Sequence, residues 1–178
     1  MNDNVIIEFP FNEKIERGNQ NFYFKYIWKK VFKGWIRIII LTAIFLFLGF
    51  YPIKNFDTNL LYYLIKYMGI FLCGYCFILI YQYFNSKKKF KIEIEKVIQE
   101  LQQKHGSSYI KLSSEEVEFS NPLYTIKCVW DKTSYSLIED YLIIHTISNL
   151  NYVFNKSELE YRDFETIIRY LENFSRSK

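Results

Sequence analysis

Two uncharged apolar stretches constrain this chain more than any other feature. From Ile38 to Ile53 no residue carries a charge, and with Trp35, Ile36 and Arg37 in front the segment reads WIRIIILTAIFLFLGFYPI. That length is close to the roughly 20 residues a helix needs to cross the hydrocarbon core of a bilayer. A second stretch is uncharged from Tyr67 to Ser86, and its apolar pattern reaches back to Leu60 except at Lys66. Arg37 sits near the start of the first stretch, where its long stem can reach the headgroups, and Trp35, Tyr51 and Pro52 suit interfacial ends. The intervening KNFDTNLLYYLIK is short enough to join antiparallel neighbours, so the pair reads as a transmembrane hairpin with spans at about 35–53 and 64–84. The competing reading is a buried two-helix core. Two runs of this length, each bounded by aromatic residues and cations, argue against it.

Cations flank the hairpin on one side. Lys25, Lys29, Lys30, Lys33 and Arg37 precede the first span, Lys87, Lys88, Lys89 and Lys91 follow the second, and the connection holds only Lys54 and Lys66 with Asp57. The positive-inside rule then places both termini in the cytoplasm. The formal charge of +4 conceals a split: residues 1–91 carry 13 Lys and Arg against 5 Asp and Glu, and residues 92–178 carry 10 against 14. Lys29, Lys30, Lys33 and Arg37 with Lys87, Lys88, Lys89 and Lys91 form a basic cluster at the membrane surface, which has the bilayer as its partner. Topology explains these lysines, so nucleic acid is not an expected ligand. More than thirty largely polar residues precede the first span, and Gly49-Phe50-Tyr51 is no small-residue cleavage site, so a cleaved signal peptide is not expected. In a reducing cytoplasm Cys128 forms no structural disulfide.

The flanks carry the folded part. Residues 5–11, VIIEFPF, read as a short strand ending at Pro10. Such a strand would leave unpaired backbone groups if isolated, so it is expected to add to a sheet formed by residues 108–155. Phe24, Ile27, Trp28, Val31, Phe32 and Trp35 then recur near helical spacing among lysines. This segment either lies in the membrane surface or extends the first span. After the second span Ile94, Val97, Ile98 and Leu101 mark a continuing amphipathic helix that ends near His105-Gly106. The period then changes. YIKLS, EVEFS, LYTIKCVW, TSYSLIE, YLIIHTI and LNYVFN are strand-like runs between turn signals, expected to form one antiparallel sheet, and Tyr161 to Phe174 is a C-terminal helix with an apolar face of Phe164, Ile167, Ile168, Leu171 and Phe174. The fold class is therefore α+β with a membrane hairpin. Its divisions are residues 1–34 (strand and basic helix), 35–86 (hairpin) and 87–178 (cytoplasmic domain).

The order of these parts resembles the YcxB-like family of bacterial membrane proteins. The matching residues are Ser113-Ser114-Glu115-Glu116-Val117 at a turn into a strand, Cys128-Val129-Trp130-Asp131-Lys132, and Val153-Phe154-Asn155-Lys156, with Asn155 where the family pattern usually has Pro. The resemblance covers nearly the whole chain. It implies a multi-pass bacterial inner-membrane protein and a cytoplasmic domain similar to a pleckstrin-homology fold, a bent antiparallel sheet closed by a C-terminal helix. It supplies no catalytic residue. Trp130, Asp131, Phe154 and Lys156 are expected to be structural, with the indole filling the core and Asp131 capping a turn.

Chemistry is sparse. Cys73 and Cys76 lie inside a span, with no second Cys or His pair at zinc spacing, and read as small packing residues beside Gly69 and Gly74. His145 needs a nucleophile and an orienting group that one sequence does not reveal, and no phosphate-loop, dinucleotide, nucleophile-elbow or zinc-protease motif occurs. No cofactor, metal or enzymatic activity is expected. The function expected is a membrane-anchored scaffold that binds a protein partner or copies of itself. The alternatives are an immunity protein neutralising a toxin and a lipid- or peptide-binding module.

Overall fold

The computed structural model describes residues 4–51, 60–104, 106–146 and 150–175. His105, the end of the first expected span at Pro52 and Ile53, and the connecting Lys54 and Asp57 lie outside them. The chain divides into two compact units, residues 24–93 and residues 1–23 together with 94–178.

The second of these is a sheet unit. β1 (Val5–Phe9), β2 (Ser108–Leu112), β3 (Glu116–Ser120) and β4 (Thr125–Val129) form one antiparallel sheet in that order. The N-terminal strand lies where its unpaired backbone required, with Val5 opposite Leu112 and Phe9 opposite Ser108. It occupies an edge and stops before Pro10, which has no amide hydrogen to give a ladder.

The single sheet expected from sequence is in fact two. β5 (Ser134–Ile138), β6 (Tyr141–His145) and β7 (Asn151–Asn155) form a separate antiparallel sheet, and α3 (Tyr161–Phe174) follows a short 3₁₀ turn. The break falls at a 3₁₀ turn, Trp130–Lys132. There the Trp130 indole is buried and donates to the Ser113 carbonyl at 2.9 Å, the Thr133 amide returns to the Trp130 carbonyl at 2.9 Å, and the Thr133 hydroxyl donates to the Val129 carbonyl at 3.1 Å. These bonds turn the chain away from the direction of β4, so β5 starts a new ladder.

Alternation then fills the core. Ile7, Ile110, Leu112, Val117, Phe119, Leu142, Ile144 and Phe154 meet Phe164, Ile167 and Leu171 of α3, whose spacing puts all three on one helix face. Each such side chain contributes about 1.5–3 kcal/mol on burial. Ile143 is equally buried although it points to the opposite face of β6 from Leu142 and Ile144. On that face Phe22 stacks on Tyr141, with ring centroids 3.8 Å apart.

Phe22 belongs to α1 (Glu13–Phe50), and the other long helix is α2 (Leu60–Gln103). Asn12 opens α1 by accepting the Lys14 and Ile15 amides on its side-chain oxygen. The basic aromatic stretch and the apolar stretch after it are one unbroken helix. α2 likewise starts at Leu60, earlier than the expected span, because LLYYLIK contains no helix breaker, so Lys66 lies within the helix. The divisions expected at 34/35 and 86/87 both fall inside continuous helices. Residues 87–178 alone would lack β1 and the first turns of α1. In the sheet unit α1 and α2 are tied together by Arg17, whose guanidinium grips both oxygens of Glu95 at 2.6 and 2.8 Å and one of Glu13 at 2.8 Å. Gln102 adds a bond to Glu13 at 2.8 Å, and Ile94, Ile98 and Leu101 are buried as their spacing requires.

Candidate membrane interface

In the hairpin unit the two helices run antiparallel, since contacts advance along α1 as they retreat along α2. A Cβ on Gly49 would lie 2.8 Å from the Lys66 Cα, and one on Gly69 would lie 3.2 Å from the Leu46 nitrogen. Thr42 is buried, donates its hydroxyl to the Ile38 carbonyl at 2.8 Å and approaches the Cys76 sulfur at 3.6 Å. Small residues thus let the backbones close up. Gly69 and Cys76 are used in this way, while Gly74 faces open space.

Most of the remaining side chains in the apolar stretches are exposed or half-buried. Of the most apolar windows, only 6% in α1 and 11% in α2 is buried, and both helices are long and apolar enough to cross a membrane. Ile36, Ile40, Ile44, Phe47, Phe71, Phe77, Ile78 and Tyr81 are among the exposed side chains. The buried two-helix core is therefore not what the structure contains. Exposed apolar surface this continuous marks a site of contact with a membrane or another protein.

Each end of the band is marked by rings and cations. At one end Phe24 packs on Phe90 (4.7 Å between ring centroids), Trp28 on Tyr83 (5.0 Å) and Phe32 on Tyr83 (5.1 Å) and Trp35 (5.0 Å). Lys87 places its ammonium 6.0 Å from the Tyr83 ring centre. The structure brings the two halves of the predicted basic cluster to this same end: Lys29, Lys30, Lys33 and Arg37 on α1, and Lys87, Lys88, Lys89 and Lys91 on α2. All eight are exposed, and among the described residues none lies within ion-pair distance of a carboxylate. At the other end Lys66 lies over Phe50 (5.1 Å) and Tyr62 (5.8 Å). From Lys66 to Tyr83 α2 rises about 26 Å, near the thickness of a hydrocarbon core.

The remaining predicted residues lie in the sheet unit. Trp130 fills the core beside Phe174 (6.0 Å) and Tyr170 (6.4 Å). Asp131 is exposed and does not cap its turn, because the flanking extended residue Val129 leads straight into it and Thr133 closes it. Phe154 is buried edge-on to Phe9 at 5.8 Å. Lys156 spans Tyr161 (5.9 Å) and Phe164 (5.8 Å), and its amide donates to the Asp140 carbonyl at 2.8 Å.

Three polar groupings in this unit escaped the sequence. Ser136, His145 and Asn151 form a chain: the Ser136 hydroxyl is 3.3 Å from His145 Nε2, and His145 Nδ1 is 2.6 Å from Asn151 Oδ1, whose amide nitrogen donates to the Tyr23 hydroxyl. The chain ends on α1 and, with the Phe22–Tyr141 stack, fastens that helix to the sheet. Close by, the buried Asn19 amide donates to the Glu158 carboxylate at 2.9 Å, while its own oxygen has no partner among the described residues. Burial, reinforced by nearby Glu16, pushes the Glu158 carboxyl above its ordinary range against the pull of the Asn19 bond. Glu118 moves the other way: bonds from Lys127 at 3.0 Å and the Tyr109 hydroxyl at 2.9 Å hold it below. Among the described residues no group of three or more His, Cys, Asp or Glu gathers as a metal would need.

No family model, curated protein or solved structure matches this chain. Its reading therefore stands on the geometry above.

Proposed function

We propose that the chain is a bacterial inner-membrane protein in which the hairpin of α1 and α2 anchors a cytoplasmic, non-enzymatic binding domain. The observation that carries this reading is the exposed apolar band bounded at both ends by rings and cations. Lipid supplies the contacts that such a band lacks in water, and the cation-rich end belongs on the cytoplasmic side. The domain is read as similar to a pleckstrin-homology fold of the YcxB-like type. In support, a four-stranded and a three-stranded antiparallel sheet enclose one core with a C-terminal helix. Its role is to hold a protein partner or a second copy. The sheet unit has twelve Lys and Arg against seventeen Asp and Glu, a balance that keeps its surface off anionic headgroups.

Affinity capture and crosslinking of the detergent-solubilised full chain, with Trp130→Ala as a folding control, test this role. A stoichiometric partner or a crosslinked homo-oligomer is expected with the native chain and is lost with the variant. Bare monomer under both procedures contradicts it. Rescue from a co-expressed toxin by the captured pair would specialise the scaffold as an immunity protein.

A further inference from the structure

We infer that the basic end of the hairpin unit selects anionic phospholipid headgroups over neutral ones. The inference rests on the membrane reading above.

The argument begins with spacing. Lys25, Lys29, Lys33 and Arg37 follow one another four residues apart on α1, and Lys87 and Lys91 repeat the interval on α2. Residues four apart on a helix are neighbours, so every one of these pairs sets like charges side by side. The contacts of Phe24 with Phe90 and of Trp28 with Tyr83 then bring Lys25, Lys29 and Lys30 of α1 near the level of Lys87, Lys88, Lys89 and Lys91 of α2. Repulsion within each helix is therefore joined by repulsion between them.

Little inside the unit offsets it. Residues 24–93 hold eleven Lys and Arg against two Asp and Glu, of which Asp57 belongs to the connection at the other end and Glu93 is the last residue. In the sheet unit two cations are paired, Arg17 with Glu13 and Glu95 and Lys127 with Glu118, and carboxylates outnumber cations overall. The hairpin cations thus outnumber the carboxylates near them, Glu93 and Glu95, and leave an excess of positive charge for an external anion. That anion would sit directly beside an exposed apolar band, and the rings of Trp28, Phe32, Trp35 and Tyr83 are interleaved with the cations at the edge of that band. A phospholipid satisfies both at once, with its phosphate against the ammonium groups and its chains along the band. A nucleic acid or an acidic protein would satisfy only the first.

Brominated lipids read both halves of the claim, because Trp28 and Trp35 lie at this end while Trp130, buried in the other unit, gives a constant background. The full chain is reconstituted in phosphatidylcholine vesicles that contain an equal fraction of brominated phosphatidylglycerol or of brominated phosphatidylcholine. Quenching by the anionic lipid should correspond to an enrichment of at least about threefold, and the enrichment should shrink in about 1 M salt. Replacing Lys29, Lys30, Lys33, Lys87, Lys88 and Lys91 by Gln should bring the two lipids to parity without abolishing quenching. These side chains are exposed, so the variant keeps its fold. Equal quenching of the native chain by both lipids overturns the inference and leaves the membrane reading intact. No quenching by either overturns both.

Discussion

The two units use the same residue types to opposite ends. In the sheet unit an indole, Trp130, is buried and bonded to a carbonyl, whereas Trp28 and Trp35 in the hairpin unit stack with rings at the edge of an exposed band. Lys127 pairs with carboxylates in the first unit, and Lys87 in the second lies over the face of Tyr83. The sheet unit is acidic and turns its apolar side chains inward, while the hairpin unit is basic and turns them outward. On the membrane reading proposed above, a change of solvent accounts for this inversion: water rewards burial of apolar surface, and hydrocarbon rewards its display with the backbone satisfied inside helices.

The comparison can be broken most severely by removing β1. Deleting residues 1–12 takes away an edge strand and the buried Ile7, and a domain is stable by only about 5–15 kcal/mol in all. Limited proteolysis should then degrade the sheet unit while the hairpin stays protected. Unchanged protection of both would separate β1 from the fold. Trp130→Ala should cost the sheet unit about 3–5 kcal/mol, by cavity and lost hydrogen bond together, and leave the hairpin untouched, as read by thermal melting in the same detergent. Gly49→Leu reverses the target. It places atoms against the Lys66 backbone and should cost the hairpin about 1–3 kcal/mol in a denaturing-detergent titration with no change in sheet-unit melting.

Smaller effects sharpen the account of polar burial. Because the folded Glu158 carboxyl is raised, its contribution to stability is fully present below the unfolded value of about 4.3 and is lost as pH rises through the folded value. Glu158→Gln should remove that slope. At pH 7 it should stabilise by about 1 kcal/mol, since a neutral amide both accepts from Asn19 and can donate to its unpartnered oxygen. Melting temperatures between pH 4 and 8 for the two chains decide it. Least of all, Glu139 holds a positive φ of 54° between β5 and β6, and Glu139→Gly should gain about 0.5 kcal/mol in the same melt.

Much of this was readable from sequence where one physical period dominates. Runs such as Ser108–Leu112 and Glu116–Ser120 alternate apolar and polar residues, and Tyr161 to Phe174 repeats its apolar positions as a helix does, so those elements lie where expected. The pairing of β1 followed from an unpaired backbone. The second sheet did not, because Trp130-Asp131-Lys132 reads as a turn whether or not a ladder continues beyond it. Only the indole bond to Ser113, across 17 residues, decides. The fastening of α1 was hidden for the same reason on a longer scale: Tyr23 and Asn151 are 128 residues apart, and neither is unusual locally. Of the candidate interface, the lysines and the apolar band were evident, but their meeting at one level depends on which rings face each other across the helices.

The measurement that tests the central claim most directly is the solvent met by the band. Spin labels placed singly at Ile40, Ile78, Lys29 and Lys88 in the full chain, with the native cysteines replaced, report collisions with oxygen and with a water-soluble nickel chelate in reconstituted bilayers. The account predicts that labels at Ile40 and Ile78 favour oxygen and those at Lys29 and Lys88 favour the chelate. Equal access of the chelate to all four sites would contradict it.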